Sequence, residues 1–458
     1  MKIISNTSVF YLDKTVPKGE ILANTGYYLL EQGYDVRVFN LVDFNSSDGY
    51  NPFKYLRDDK DVLKLITNLI RNTTPKGSSN TDPFWEKAET ALLEALMFYL
   101  LYEAPPEEQN FAMIMKMLSY ADVREEDSAH ISPLDLLFQQ LSYQSPGHIA
   151  AKQYAVYKQA ASKTAKSINI SLAVRLAAFN MKQLQKITDV DNMSFGDLGE
   201  KKMAIFAVIP DNDTSLSYLV GMLYTQIIQE LYFRADHIHY GALPMHVRFV
   251  LDEFANVSLP EEFDKSLATM RSRNMSATII VQNLAQLKGL YKDGAWETIT
   301  GNCDTLLFLG GKEKTTLKEM EELLGKETID TYNTGESRGR EVSHSLNYQK
   351  LGKSLMSVDE LAVMDGGKCI LQLRGVRPFL SDKYDITSHP NYKYLSDSNK
   401  KNAFDIEKYL SRQLKLRLEE EYEAFEVSIS DNPQDDEALL EEWTDSTQLQ
   451  AAGYGGLL

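Results

Sequence analysis

Apolar positions along the chain fall into two rhythms. Short runs at 8–13, 35–39, 202–209, 247–251, 277–281, 304–310 and 368–374 are rich in Val, Ile, Leu and Phe. Continuous runs of this length predict strands buried on both faces of a sheet. Helical spacing fills the intervals at 20–31, 58–72, 215–234 and 313–324. Strands alternating with helices predict a parallel sheet and the α/β class. One interval breaks the alternation. Helical patterns at 85–102, 111–120, 133–143 and 149–180 follow one another with no strand between them, which reads as an all-α insertion. The expected domains are therefore 1–75 with 185–395 as the α/β domain, 76–184 as the insertion, and 396–458 as a charged helix and tail. The polar stretch 326–354 reads either as a flexible hairpin or as a plain surface loop.

The run at 247–251 ends abruptly in Asp252 and Glu253. Open α/β sheets bind ligands at the C-terminal ends of their strands. Taken alone, the pattern also fits an ordinary strand end with two solvated acids. In a nucleotide-hydrolysing site the two acids have separate tasks. Asp252 would hold Mg²⁺, which prefers hard oxygen ligands and keeps several waters. Glu253 would orient or deprotonate the water that attacks the γ-phosphate. The run at 277–281 ends in Gln282 and Asn283. Neighbouring parallel strands would bring Gln282 beside the acids, where a neutral amide contacts phosphate or water without competing for the metal. Between the two strands lie Arg271 and Arg273. Arginine suits the charge that develops on a transferring phosphoryl group, and a neighbouring subunit can supply it. A surface helix end explains these two arginines equally well on their own.

Asp252-Glu253-Phe254-Ala255-Asn256, then Leu267-Ala268-Thr269-Met270-Arg271-Ser272-Arg273, then a strand closing in Gln282-Asn283-Leu284-Ala285-Gln286-Leu287 form an ordered set. Pro17-Lys18-Gly19-Glu20, Gly49-Tyr50-Asn51-Pro52-Phe53, Asp82-Pro83-Phe84-Trp85, Ile209 to Thr214 and Gly301-Asn302-Cys303-Asp304 add to it. Together they resemble the VirD4/TraG family, the coupling-protein ATPases of type IV secretion and conjugation, in the form found in Gram-positive conjugative elements. The likeness runs from about residue 1 to about 395. It implies a RecA-like P-loop NTPase sheet with Asp252 and Glu253 as Walker B acids. It also implies Arg271 as an arginine finger, Gln282 as a sensor, and ATP and Mg²⁺ as cofactors. Lys18 would approach a phosphate or a neighbouring subunit; a lysine in water at a helix start is the plain alternative. The implied partners are DNA, a relaxase cargo, type IV secretion channel components and further copies of the chain in a hexameric ring. The implied place is the cytoplasmic face of the cell membrane, although this chain alone reads as cytoplasmic.

Two departures qualify the resemblance. Lys14-Thr15-Val16 separate Asp13 from Pro17, where the family runs directly from strand to Pro-Lys-Gly-Glu. More important, a nucleotide motor needs a glycine-rich loop whose N–H groups cradle phosphate. No G-x-x-x-x-G-K-[ST] sequence occurs in the 458 residues. Gly310-Gly311-Lys312 lacks both the spacing and the hydroxyl. Family members carry this loop and membrane helices upstream of Pro-Lys-Gly-Glu, so the sequence reads as N-terminally shortened. The alternative function is an ATPase-incompetent docking or regulatory subunit, or a truncated relic.

Composition changes little. No run reaches the roughly 18–20 apolar residues that span a bilayer, and Met1 to Thr7 contains no signal-peptide core. Cys303 and Cys369 are too few for a disulfide framework and are expected as buried free thiols of a reducing compartment. The net charge of −17 is unusual for a DNA-handling protein, but residues 419–445 hold twelve acids and no Lys or Arg, and the rest of the chain carries −5. A charged helix is predicted at 406–425 and a disordered tail at 426–458, with Asp435 to Trp443 as an acidic-hydrophobic docking motif or part of an inert solubilising segment. In the insertion, Tyr154, Lys158, Lys163, Lys166 and Arg175 are candidates to line a DNA path, each against the simpler reading of a solvated helix face.

Overall fold

A computed structural model describes residues 7–13, 19–74, 83–122, 130–210, 213, 215–256, 262–291, 294–338 and 342–421. Lys18, the Lys14-Thr15-Val16 insertion and the tail beyond residue 421 lie outside the described residues. The chain opens with β1 (Thr7–Asp13), α1 (Glu20–Glu31), β2 (Asp35–Asn40) and α2 (Asp59–Thr73). The insertion follows as α3 (Pro83–Glu103), α4 (Phe111–Ser119), α5 (Pro133–Gln144), α6 (Ile149–Tyr157), α7 (Ser162–Arg175) and α8 (Lys182–Thr188). Next come β3 (Met203–Val208), α9 (Ser217–Phe233), β4 (His246–Leu251), α10 (Phe263–Met270) and β5 (Met275–Ile279). The C-terminal part holds α11 (Leu284–Leu290), α12 (Ala295–Asn302), β6 (Thr305–Phe308), α13 (Lys314–Leu324), β7 (Lys326–Arg338) and β8 (Val342–Ser354). It ends in α14 (Val358–Ala362), β9 (Lys368–Leu373), β10 (Phe379–Asp382) and α15 (Ile406–Glu421).

Five strands form one sheet in the order β2-β3-β1-β4-β5, and every pairing in it is parallel. All six residues of β3 are buried, as a strand covered on both faces requires. On one face Phe10 and Phe249 pack together with Tyr224 of α9, the rings of Phe10 lying 4.8 Å from Tyr224 and 5.8 Å from Phe249. Each such aromatic contributes about 1.5–3 kcal/mol through burial. The buried residues of the insertion helices are continuous with this core. The α/β class with a RecA-like sheet is thus the observed fold.

Three expectations need correction. The single helix at 149–180 is broken into α6, α7 and a short 3-10 turn, Ala177–Asn180. No Gly or Pro marks the break. It lets Tyr157 of α6 fold back so that its hydroxyl donates to Asn169 Oδ1 of α7 at 2.7 Å. Of the two cysteines, Cys369 is buried but Cys303 is only partly so, and burial pushes the Cys303 thiol up. The run at 304–310 forms β6, yet it is not buried on both faces: Phe308 is buried, whereas Leu307 and Leu309 are each 53% exposed. Strand β6 belongs to a separate three-stranded sheet, β10-β9-β6. The stretch 326–354 is a hairpin, with β7 and β8 paired antiparallel along their length.

A second small core, Phe308, Leu317, Met320, Leu361 and Ile370, joins β6 and β9 to α13 and α14. Glu313 caps α13, accepting from Thr315 N at 2.7 Å and Thr316 N at 2.8 Å. These two backbone donors hold its carboxyl down, from the ordinary 4.5 to about 2. A depressed folded value means the cap's contribution is complete above the unfolded value and is lost as pH falls through the folded one. Glu313→Gln should therefore flatten the acid limb of stability between about pH 4.5 and about 2; urea midpoints measured across that window check it.

Candidate functional site

Strand β4 delivers Asp252 and Glu253 at its C-terminal end because its register with β1 and β5 is fixed by burial. Val247, Phe249 and Leu251 are fully buried and alternate with half-buried His246, Arg248 and Val250. A one-residue slip would reverse these faces. The ladder continues past the strand ends: Ile280 N donates to Leu251 O at 3.0 Å, and Phe254 N donates to Ile280 O at 3.0 Å. The acids are thereby held against the end of β5, where Gln282 follows. Gln282 Nε2 donates to Glu253 Oε1 at 3.2 Å. Glu253 N donates to Asp252 Oδ1 at 3.1 Å. Asp252, Glu253 and Gln282 thus form one cluster at the C-terminal edge of the parallel sheet, with both acids partly exposed and Gln282 exposed.

Glu253 adopts φ 46°. A non-glycine residue in the left-handed region costs of order 1–3 kcal/mol and persists where the surroundings impose it. Here the strand turns sharply after Leu251, so that Glu253 meets Gln282 instead of continuing along β4. The sequence did not single out Gln286. Its Nε2 donates to Gln282 Oε1 at 3.4 Å, which leaves the Gln282 amino group for Glu253. The signal available was its spacing: Gln282 and Gln286 are four apart, across a helix start that Asn283 caps by accepting from Gln286 N at 3.0 Å.

Arg271 is not brought to this cluster within the chain. It is exposed, at the end of α10 and immediately before β5. That is the N-terminal edge of the sheet, and a strand of five residues spans about 17 Å. Arg273 is engaged elsewhere, with Nε and Nη2 each 2.8 Å from Asp236 and its guanidinium over Tyr232. Among the described residues no group of three or more His, Cys, Asp or Glu could hold a metal ion by itself. Asp252 supplies one hard oxygen-bearing side chain, which suits a Mg²⁺ whose shell is completed by phosphate and water.

Most of the insertion candidates are occupied structurally. Tyr154 is buried and its hydroxyl donates to Asp135 Oδ1 at 2.9 Å. Lys158 Nζ lies 2.8 Å from the same carboxylate. Arg175 is drawn inward onto Glu89. Lys163 and Lys166 remain on the exposed surface. No described helix is long and apolar enough to cross a membrane.

The family model for type IV secretory system conjugative DNA transfer matches residues 4–403. The VirD4 protein of Rhizobium radiobacter is 23% identical over 226 residues, which are 48% of this chain and 31% of that protein. The match therefore spans about a third of the relative's length. Among solved structures, the conjugative coupling protein TrwBdeltaN70 in complex with sulphate is 15% identical with a TM-score of 0.55, covering 84% of this chain and 87% of that one. Plasmid coupling protein TrwB in complex with ADP and Mg²⁺ is 14% identical with a TM-score of 0.51 over the same shares. At these identities the two structures bear on the fold alone. A parallel sheet presenting two acids and a glutamine at one edge, and a family match along nearly the whole chain, together establish that the protein belongs to the conjugative DNA transfer family of type IV secretion, as a coupling protein of the VirD4/TraG type.

Proposed function

We propose that this chain is the motor region of a coupling protein that uses ATP hydrolysis to deliver a relaxase–DNA substrate to a membrane transfer channel. The observation that carries this reading is the Gln282–Glu253 hydrogen bond beside Asp252 at the sheet edge. Glu253 orients and deprotonates the attacking water, and Gln282 holds its carboxylate in place. Asp252 holds the Mg²⁺, directly or through water; when bound, the ion neutralises charge on the β- and γ-phosphate oxygens. Arg271 acts on the site of a neighbouring copy in a ring, a hexamer by family resemblance, because its own cluster lies at the other end of the sheet. Lys18, ahead of α1, approaches phosphate or the neighbouring copy. Residues 1–75 and 185–395 make up the motor, 76–184 faces cargo, and 396–458 is an accessory tail. The working place is the cytoplasmic face of the membrane. The bound ADP and Mg²⁺ of the similar coupling protein support the choice of nucleotide and metal.

The test is ATP turnover with and without Mg²⁺ and DNA. The 458-residue chain alone should turn over ATP negligibly, because it has no phosphate cradle, whereas the native assembly should show Mg²⁺-dependent turnover that Asp252→Asn removes. Turnover in the native assembly that is indifferent to Asp252 would sink the proposal and favour a docking subunit.

A further inference from the structure

The glutamine beside Glu253 leads into a helix too short to hold itself. Helix α11 has seven residues, just under two turns, and a helix of that length is marginal in water alone. Its direction is therefore set by what its neighbours grip. Leu287, buried, enters the main core. Lys288 Nζ lies 2.6 Å from Glu319 of α13 and 4.0 Å from the centroid of the Trp296 ring of α12. A helix leaves its first amides without internal partners. Asn283 takes the amide of Gln286 at 3.0 Å. The first amide goes to a different helix: Leu284 N donates to Thr316 Oγ1 of α13 at 2.9 Å.

Thr316 is arranged to accept that bond. A hydroxyl has one hydrogen and two lone pairs. The hydroxyl of Thr316 donates to Glu313 Oε2 at 2.8 Å, and the Glu313 carboxylate is itself fixed by the amides of Thr315 and Thr316. An ionised carboxylate can only accept. The hydrogen of the hydroxyl is therefore committed, and its lone pairs are left for Leu284 N–H. Backbone and side chain of Thr316 bind the same carboxylate, which fixes the rotamer.

The bond crosses between the two cores. Leu287 of α11 belongs to the core of the five-stranded sheet, whereas Leu317 and Met320 of α13 belong to the small core with Phe308, Leu361 and Ile370. Just beyond Leu284, α11 carries Gln286, whose Nε2 lies 3.4 Å from Gln282 Oε1; Gln282 Nε2 lies 3.2 Å from Glu253 Oε1. Gln282 is exposed, and an exposed glutamine held in one rotamer gives up its conformational freedom. It keeps its place while both ends of its amide are tied, and the outer tie is on α11.

We propose that Thr316 is a positioning residue for the cluster at the sheet edge. By seating the first turn of α11 it keeps Gln286 within reach of Gln282, and so keeps the Gln282 amino group on Glu253. The effect on turnover rests on the hydrolytic reading above; the seating of α11 does not.

Thr316→Val and Thr316→Ser in the native assembly test this. Valine keeps the shape of threonine and removes the hydroxyl; serine restores it. Leu317 and Met320 still anchor α13, and Glu313 still accepts the amide of residue 316, so both variants keep the fold. The Leu284 amide should exchange about tenfold faster in Thr316→Val, the value of one hydrogen bond, and at the original rate in Thr316→Ser. For ATP turnover, kcat should fall about three- to tenfold in Thr316→Val with KM unchanged. It should recover in Thr316→Ser, and the double variant with Gln282→Leu should be no slower than Gln282→Leu alone. Unchanged exchange at Leu284, an unchanged kcat, no recovery with serine, or losses that multiply in the double variant would each overturn the proposal. The two readings fail separately. Turnover indifferent to Asp252 removes the hydrolytic role and leaves the Leu284 exchange of the two variants to decide the seat; Asp252-dependent turnover with unchanged Leu284 exchange does the reverse.

Discussion

Glu253→Gln in the native assembly should lower kcat for ATP hydrolysis by about 10²–10⁴-fold while nucleotide affinity stays close to that of the unmodified protein. The substitution preserves shape and the possibility of a hydrogen bond to Gln282, but in the proposed mechanism it removes the group that accepts a proton from the attacking water. It also leaves Asp252, the carboxylate proposed to hold the metal, in place. The expected signature is therefore a fall in kcat with little change in KM, as for an interaction made mainly in the transition state. Gln282→Leu should give a smaller loss, because it removes one partner of the Glu253 carboxylate without removing the carboxylate. The double variant should be barely worse than Glu253→Gln, since residues that act as a unit are not additive. Equal losses in binding and turnover for Glu253→Gln would show that the residue holds the site together and does not serve as the base. Steady-state turnover paired with fluorescent-nucleotide binding separates the two.

The part of this site that was legible in the sequence was legible for a reason. In a parallel sheet each strand is a continuous apolar run, and the first polar residues after it must stand at the ligand-binding edge. That places Asp252, Glu253 and Gln282 together from their spacing alone. The position of Arg271 follows from the same topology: the helix between two parallel strands carries the chain back to the opposite edge, so a residue just before β5 cannot reach the end of β4. Other features depend on contacts that spacing does not encode. The left-handed turn at Glu253 is imposed by the β4–β5 ladder, not by a glycine. The break between α6 and α7 serves the Tyr157–Asn169 hydrogen bond and carries no helix-breaking residue. The exposure of β6 is the reverse case, in which the sequence pattern is that of a buried strand and Leu307 nevertheless stands exposed.

Glu89→Ala should destabilise the insertion by about 3–5 kcal/mol, the cost of breaking a buried ion pair by removing one partner. Glu89, on α3, is 2% exposed. Its carboxylate accepts from Arg175 Nε at 2.7 Å and from the Ser171 hydroxyl. Arg175 Nη1 donates in turn to Ile70 O at 3.2 Å, Thr73 Oγ1 at 2.8 Å and Thr74 Oγ1 at 3.2 Å. The cation thus sits at the C-terminal end of α2, where unsatisfied carbonyls and the helix dipole favour it. Helix α2 packs against α9, whose Tyr224 lies on Phe10 of the five-stranded sheet, so one guanidinium ties α7 and α3 of the insertion to the helices that carry the sheet. Without Glu89 the guanidinium keeps its neutral acceptors but loses its counter-charge inside the protein. Replacing both partners with methionine should cost much less, because no charge is then left buried. Urea unfolding followed by amide exchange in α7 measures the difference. A single-variant loss below about 1 kcal/mol would mean that the pair behaves as a solvated surface bridge. A large loss in Glu89→Ala that the double variant restores would identify the pair as the joint through which the helices of the insertion hold their place against the motor sheet.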